Sequence, residues 1–392
     1  MKLLHVVASL DPQQGGVCQA VRTMIAGLAE QGVANEVTTL DAPDAAWSAE
    51  AADPFPVHAL GPGRSSWGYS AQLIPWLSNN LPLYDGVILH GLWQYPSYAV
   101  RRAMQRLLGH PAAVAPRVFV MPHGMLDPYF QRAEGRRIKA LRNQLYWQLI
   151  EKTVVNQATG LLFTCETERR LAHEPFPAYR PRQERIVSLG VEEPPAYVPA
   201  MRAAFQARCP ELAGRPYLLF LSRLHDKKGV DLLLRAYTQL AAASPATLPA
   251  LVVAGPGLDT PYGQQMQQLA AGVPTVFFPG MLSGDAKWGA FYGCEAFVLP
   301  SHQENFGIAV AEALACGKPV LISDQVNICQ EIAAGEGGLV APDTLAGTQQ
   351  LLAAWTNMAP ADQQAMGQRA RQVYSNNFAV KSATAKLLAA LS

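Results

Sequence analysis

Cysteine is sparse and unpatterned in this chain of 392 residues: Cys18, Cys165, Cys209, Cys294, Cys316 and Cys329 form no C-x-x-C pair and no metal-ligand spacing. That excludes a disulfide framework and fits reduced thiols serving mostly as small core residues. Charge is scarce too, at 16% of residues with a formal net of +1, so nothing pulls the whole molecule toward nucleic acid. No apolar run approaches the roughly 18 to 20 residues a membrane span requires. The opening Met1–Ala8 places one cation before an apolar run, as a signal peptide does, but the run is short and broken by His5. It leads at once into Asp11-Pro12-Gln13-Gln14-Gly15-Gly16, which reads as a strand ending in a polar loop. The expectation is a cytoplasmic protein, with peripheral contact at the inner face of the membrane as a further option. Short-period repeats and low-complexity tracts are also lacking.

What is present is a chain long enough for two domains, with 49% hydrophobic residues. Short apolar runs alternate with helix-period segments throughout, the pattern of parallel α/β architecture. Strands are expected at Leu3–Leu10, Glu36–Leu40, Gly86–His90, Arg117–Met121, Gly160–Thr164 and Arg185–Leu189 in the first half. The second half repeats the scheme at Tyr217–Leu221, Ala250–Ala254, Val276–Phe278, Ala296–Pro300, Pro319–Ser323 and Gly338–Val340. A helix is expected over Val17–Gln31, with Val17, Val21, Ile25 and Leu28 on one face. Two doubly wound, Rossmann-like sheets follow, over 1–190 and 200–375, with a last helix over 376–392 returning to the first domain. The proline-rich Val191–Pro199 is the candidate linker. Ligands of such sheets sit outside the carboxyl ends of the strands, so a cleft shared by facing crests is expected.

Three pieces of the second half carry the chemistry. Arg223 and Lys228, in Ser222-Arg223-Leu224-His225-Asp226-Lys227-Lys228-Gly229, place cations where a strand opens into a loop, an arrangement suited to a diphosphate or simply to a solvated loop. In Ser301-His302-Gln303-Glu304-Asn305-Phe306-Gly307-Ile308 a polar loop runs into a helix expected from about Gly307 to Cys316, whose free amides can receive phosphate or a hydroxyl. Glu304 precedes that helix and Glu312 lies inside its apolar run, where an unpaired carboxylate would be costly. The third piece is a pair of glycine loops, Gly255-Pro256-Gly257 after one strand and Gly15-Gly16 after the first.

Together these residues resemble the retaining glycosyltransferases of family 4, along essentially the whole chain. The E-x7-E pattern is the most specific element, here Glu304 and Glu312 with Glu312-Ala313-Leu314-Ala315-Cys316-Gly317-Lys318-Pro319 following. The resemblance implies a GT-B fold, with Glu304 facing the donor sugar, Glu312 holding the ribose, and Arg223 with Lys228 clamping the diphosphate. Gly15 and Gly16 would lie near the donor phosphates. His90-Gly91-Leu92-Trp93 and Pro122-His123-Gly124-Met125-Leu126-Asp127-Pro128 end strands, and the latter is similar to a subgroup of bacterial surface and exopolysaccharide enzymes. His123 would then contact the sugar near the reacting carbon. His123 and Glu304 are thus the catalytic candidates, and Gly15, Gly16, Arg223, Lys228, Gly255, Met281, Leu282, Asn305, Phe306, Gly307, Ile308 and Glu312 the donor-binding ones. Where relatives often carry Asn-Gly-Val-Asp this chain has Leu189-Gly190-Val191-Glu192, so a contact of that asparagine is lost or replaced.

No Asp-x-Asp triplet occurs, so fixed cations and helix-end amides are expected to meet the leaving diphosphate, with no metal and no cofactor beyond the UDP- or GDP-sugar co-substrate. The acceptor would be a glycan or a lipid-linked molecule. A sugar-nucleotide epimerase and a non-catalytic nucleotide-sugar-binding subunit are the alternatives. Between Arg101 and Arg142 basic residues far outnumber acidic ones, and Ile138, Leu141, Leu145 and Leu149 form an apolar helical face. That face is either a contact for an anionic membrane or packed into the core behind a solvated basic side.

Overall fold

The computed structural model describes residues 1–45, 47, 53–109, 114–132, 137–243 and 248–392. Two compact units result: 1–190 together with 380–392, and 191–379. In the first, seven parallel strands, β1 (Lys2–Val6), β2 (Ala34–Thr39), β3 (Val57–Ala59), β4 (Gly86–His90), β5 (Arg117–Met121), β6 (Gly160–Phe163) and β7 (Glu184–Ile186), lie in the order β3-β2-β1-β4-β5-β6-β7. In the second, β8 (Tyr217–Leu221), β9 (Ala250–Ala254), β10 (Val276–Gly280), β11 (Ala296–Leu299), β12 (Val320–Ser323) and β13 (Gly338–Ala341) lie in the order β10-β9-β8-β11-β12-β13. Strands such as β4, β9, β11 and β12 are buried along their full length. Helices cover both faces of a parallel sheet, which is why these strands read as unbroken apolar runs.

Each order reverses once, between β1 and β4 and between β8 and β11. Chain connections leave in opposite directions at such a point, opening a crevice at the carboxyl ends of the two strands.

Val21, Ile25 and Leu28 of the helix Gly16–Glu30 are buried as its periodicity requires. The helix Val380–Leu391 packs against it within the first unit. Several expectations need adjustment. The first strand ends at Val6, because Asp41 accepts hydrogen bonds from Ser9 Oγ at 2.6 Å and Leu10 N at 2.9 Å and turns the chain. Strand β3 adds to the expected strands; it is a three-residue edge strand with little burial. In the linker stretch, Pro199 opens the helix Pro199–Arg208, as its fixed φ favours.

The apolar face of the helix Arg137–Tyr146 is not core-packed. Ile138, Leu141, Leu145 and Leu149 are 87, 74, 60 and 64% exposed. The opposite side of this helix and of the π-helical turn Trp147–Glu151 goes inward instead, through Asn143, Trp147 and Glu151. Trp147 anchors it with its indole N–H on the Pro177 carbonyl at 2.9 Å. Arg136, within the basic stretch, lies outside the described residues.

Candidate functional site

At the β8/β11 reversal the loops after the two strands are tied by their backbones. His302 N donates to the Lys227 carbonyl at 2.8 Å. Gly229, at φ 63°, lets them approach: a Cβ there would stand 1.9 Å from the Pro300 carbonyl oxygen, an impossible distance, so only glycine fits. Gly255 plays the same part between neighbouring loops, with a Cβ 1.9 Å from the Ser222 carbonyl oxygen and its own N–H on the Gly280 carbonyl at 2.9 Å. Beyond Gly280, Met281 is exposed and Leu282 buried.

Lys228 reaches across the reversal to an ion pair with Glu304, both side chains about four-fifths buried. Arg223 is exposed beside it and takes no ion pair among the described residues. Glu304 is held by its main chain, which exchanges hydrogen bonds at 3.0 Å with the Gln325 carbonyl and the Asn327 N–H. Asn305 accepts from Asn327 Nδ2 at 3.4 Å, and Phe306 is buried edge-on to Phe378. Gly307, at φ 82°, turns the chain into the helix Ile308–Ala315, whose first turn carries no side-chain cap. Uncapped amides there leave a partial positive charge beside the Lys228–Glu304 pair. Glu312 lies on the same helix, and burial raises its pKa against the opposing pull of Lys287 Nζ at 2.6 Å.

Two side chains of this crest were not apparent from the sequence. Lys287, the partner of Glu312, is a lone lysine on the helix Gly284–Gly293 with nothing in its surroundings to single it out. His302 sits between Asp231 and Asp343, and hydrogen bonds to these two carboxylates push its pKa up to about 10. It is a cation at neutral pH, fixed at the reversal.

The first unit builds its own crest at β1 and β4. Gly15 adopts φ 105° with open space around the missing side chain, so glycine is needed there for conformation, not for room. The helix Gly16–Glu30 starts without a side-chain cap. His123 follows β5 with φ 51°, and its loop is pinned by buried Glu168, which accepts from Gly124 N at 2.6 Å and from Thr164 N at 2.7 Å. His90 bonds to His123 at 3.0 Å. Glu168 is another member the sequence did not reveal, one of two glutamates in a short helix 44 residues from the loop it holds.

A hollow of about 940 Å³ lined by Arg202, Phe205, Tyr217 and Glu295 lies at the amino ends of β8 and β11, opposite the crest where ligands of such sheets bind.

Residues 203–373 match the family of glycosyl transferases group 1, and residues 15–190 match the glycosyl transferase 4-like domain. The chain belongs to the family 4 type of glycosyltransferase. Among curated relatives, the D-inositol 3-phosphate glycosyltransferase of Geodermatophilus obscurus is 32% identical over 200 residues, 48% of this chain and 43% of its own. That of Saccharomonospora viridis is 31% identical over 179 residues, 44% and 41% of the two chains. The chain thus spans less than half the length of the curated relatives it matches. Solved structures with the same fold include Anabaena HepE in complex with UDP and glucose, at TM-score 0.72 and 17% identity over 100% of this chain and 99% of that one. Sucrose-phosphate synthase of Thermosynechococcus elongatus matches at TM-score 0.72 and 18% identity over 99 and 98%. The fold shared by the chain is GT-B, with two Rossmann-like parallel sheets.

Proposed function

We propose that this chain is a retaining, metal-independent hexosyltransferase that takes the sugar of a UDP- or GDP-sugar and passes it to a glycan or lipid-linked acceptor in polysaccharide assembly. The Lys228–Glu304 pair at the β8/β11 reversal carries the reading. Before a ligand arrives the pair satisfies itself. A diphosphate bearing about two negative charges competes for Lys228 and recruits Arg223, His302 and the uncapped amides after Gly307. Glu304, released, turns to the hydroxyls of the sugar. The lack of an Asp-x-Asp triplet and the three cations at one crest favour charge neutralisation by the protein itself. Glu312, kept in register by Lys287, would take the ribose hydroxyls, and His123 the sugar near its reacting carbon. UDP is favoured over GDP because HepE, which shares the fold, was crystallised with UDP.

Thermal unfolding with a panel of nucleotide sugars, followed by donor hydrolysis on each hit, tests this. A UDP-sugar should raise the melting temperature. Lys228→Ala should weaken UDP binding about 10- to 100-fold, the worth of one charge-assisted hydrogen bond. Unchanged UDP affinity in Lys228→Ala would sink the reading. Isomerised donor without acceptor would make the chain an epimerase, and binding without any turnover a binding subunit.

We further propose that the outward face of Ile138, Leu141, Leu145 and Leu149 rests on an anionic membrane. Lys139 and Arg142 flank the stripe and are exposed, with no carboxylate partner among the described residues. An apolar stripe edged by cations suits the boundary between headgroups and acyl chains. Flotation with anionic vesicles should carry the wild-type chain up and leave Leu141→Glu/Leu145→Glu behind; equal flotation of both would remove the proposal.

A further inference from the structure

A line of three histidines crosses the first sheet. Asn35 on β2 is paired with Leu3, His5 on β1 with Ile88, and His90 on β4 with Met121. Each member therefore stands two residues further toward the crest than the pairing partner of the one before, and His123 is two beyond Met121. A step of two keeps all four side chains on one face of the sheet. They touch in series. His5 Nε2 is 3.1 Å from Asn35 Oδ1, His5 Nδ1 3.0 Å from His90 Nε2, and His90 Nδ1 3.0 Å from His123 Nε2. The rings are inclined by 13° and 26°, with centroids 5.3 Å apart in both pairs. Asn35, His5 and His90 are buried, while His123 is partly exposed.

One end of this line fixes its direction. Asn35 Nδ2 donates to the Val33 carbonyl at 2.8 Å, so Oδ1, an acceptor only, must be the atom facing His5. His5 then carries its proton on Nε2 and offers Nδ1 as an acceptor, His90 does the same in turn, and so does His123. The opposite direction would set the lone pair of His5 Nε2 against that of Asn35 Oδ1.

We propose that Asn35, His5 and His90 are positioning residues that lock His123 in its Nε2–H tautomer, so that His123 meets the substrate through Nδ1 as a hydrogen-bond acceptor. Nδ1 has no hydrogen-bond partner among the described residues. An extra proton on His5 or His90 would force two N–H groups together; on His123 it would fall on Nδ1, which no other member of the line faces. Burial opposes it as well, pushing His5 and His123 down to about 4 and His90 well below its usual value. His123 therefore orients a sugar hydroxyl and does not act as a proton donor. Contact of His123 with sugar rests on the function proposed above; the tautomer does not.

The test uses the full-length chain labelled with nitrogen-15 in histidine, with side-chain nitrogen shifts reporting which nitrogen holds the proton. In the wild type His123 should be neutral and protonated on Nε2; a proton on Nδ1, or on both, overturns the proposal without any variant. Asn35→Leu removes the acceptor that sets the direction, so Nδ1–H should become populated at His123. In that variant kcat should fall about tenfold, the effect of one hydrogen bond, with KM for the donor within about twofold. His5→Leu cuts the line one step further along and gives the same reading if Asn35→Leu does not fold. A merely structural role would lower the melting temperature of Asn35→Leu but leave the tautomer and kcat of the folded protein unchanged, and that result overturns the proposal. The expected spectrum in a chain that turns over no nucleotide sugar would uphold the relay and count against the transferase reading instead.

Discussion

A carboxylate without water must find donors or give up its charge, and Glu151 has few, Trp93 N and the Ser97 side chain. It is fully buried in the π-helical turn, one oxygen accepts from Trp93 N at 2.7 Å, and the other has no partner among the described residues. Burial outweighs the hydrogen bonds from Trp93 N and the Ser97 side chain and raises its pKa to about 7. The folded chain therefore holds this proton above the pH at which the unfolded chain has released it. Stability contributed here is complete in acid and is lost as pH rises from about 4.5 through 7, amounting to about 3 kcal/mol for a shift of this size. Glu151→Gln cannot ionise, so its stability relative to wild type should climb over the same interval and level off near pH 8. Urea unfolding of the two proteins at a series of pH values checks this, and a difference independent of pH would show Glu151 to be neutralised by another group. Legibility at this scale depended on contrast. Glu312 stood out as a charge inside an apolar helix, and Arg223 with Lys228 as cations after a strand. Glu151, Glu168 and Lys287 did not, since each acquires its role from a partner 25 to 58 residues away that only the fold brings near.

At the scale of elements, parallel strands were plain because burial on both faces leaves a continuous apolar run. All six strands of the second sheet lie where the pattern put them, within two residues at either end. Edge strand β3 escaped, since three half-exposed residues carry no such run. Helical period located the segment Ile138–Leu149 but not its orientation. Period says that one face is apolar, whereas Trp147 and Asn143 on the other side decide which face turns inward. Strand order and register are likewise absent from local pattern. His90 and His123 were each visible as histidines ending strands, and His5 only as an interruption of an apolar run. Their alignment needed β1 between β2 and β4, and a constant offset of two from strand to strand.

On the scale of the whole molecule the chain closes its first unit last. Residues 191–379 build the second sheet and its core, after which the helix Val380–Leu391 returns to the helix Gly16–Glu30. The fit at that return is close: a Cβ on Gly27 would stand 2.2 Å from Thr384 Oγ1 and 2.7 Å from a Val380 methyl. Leu387 and Leu391 are 2 and 1% exposed, and Arg117 Nη1 donates to the Ser392 carbonyl at 2.8 Å. Two fully buried leucines are worth roughly 3 to 6 kcal/mol. Removing 380–392 should therefore weaken the first unit by that order and leave the interior of the second untouched, since this helix belongs to the first unit. Hydrogen exchange resolved by peptide should show protection falling in Gly16–Glu30 and β1 while β8, β9 and β11 keep theirs. Equal loss in both would mean that the two cores unfold as one, whereas a local loss would make the last thirteen residues a part of the first sheet's domain in energy as well as in place.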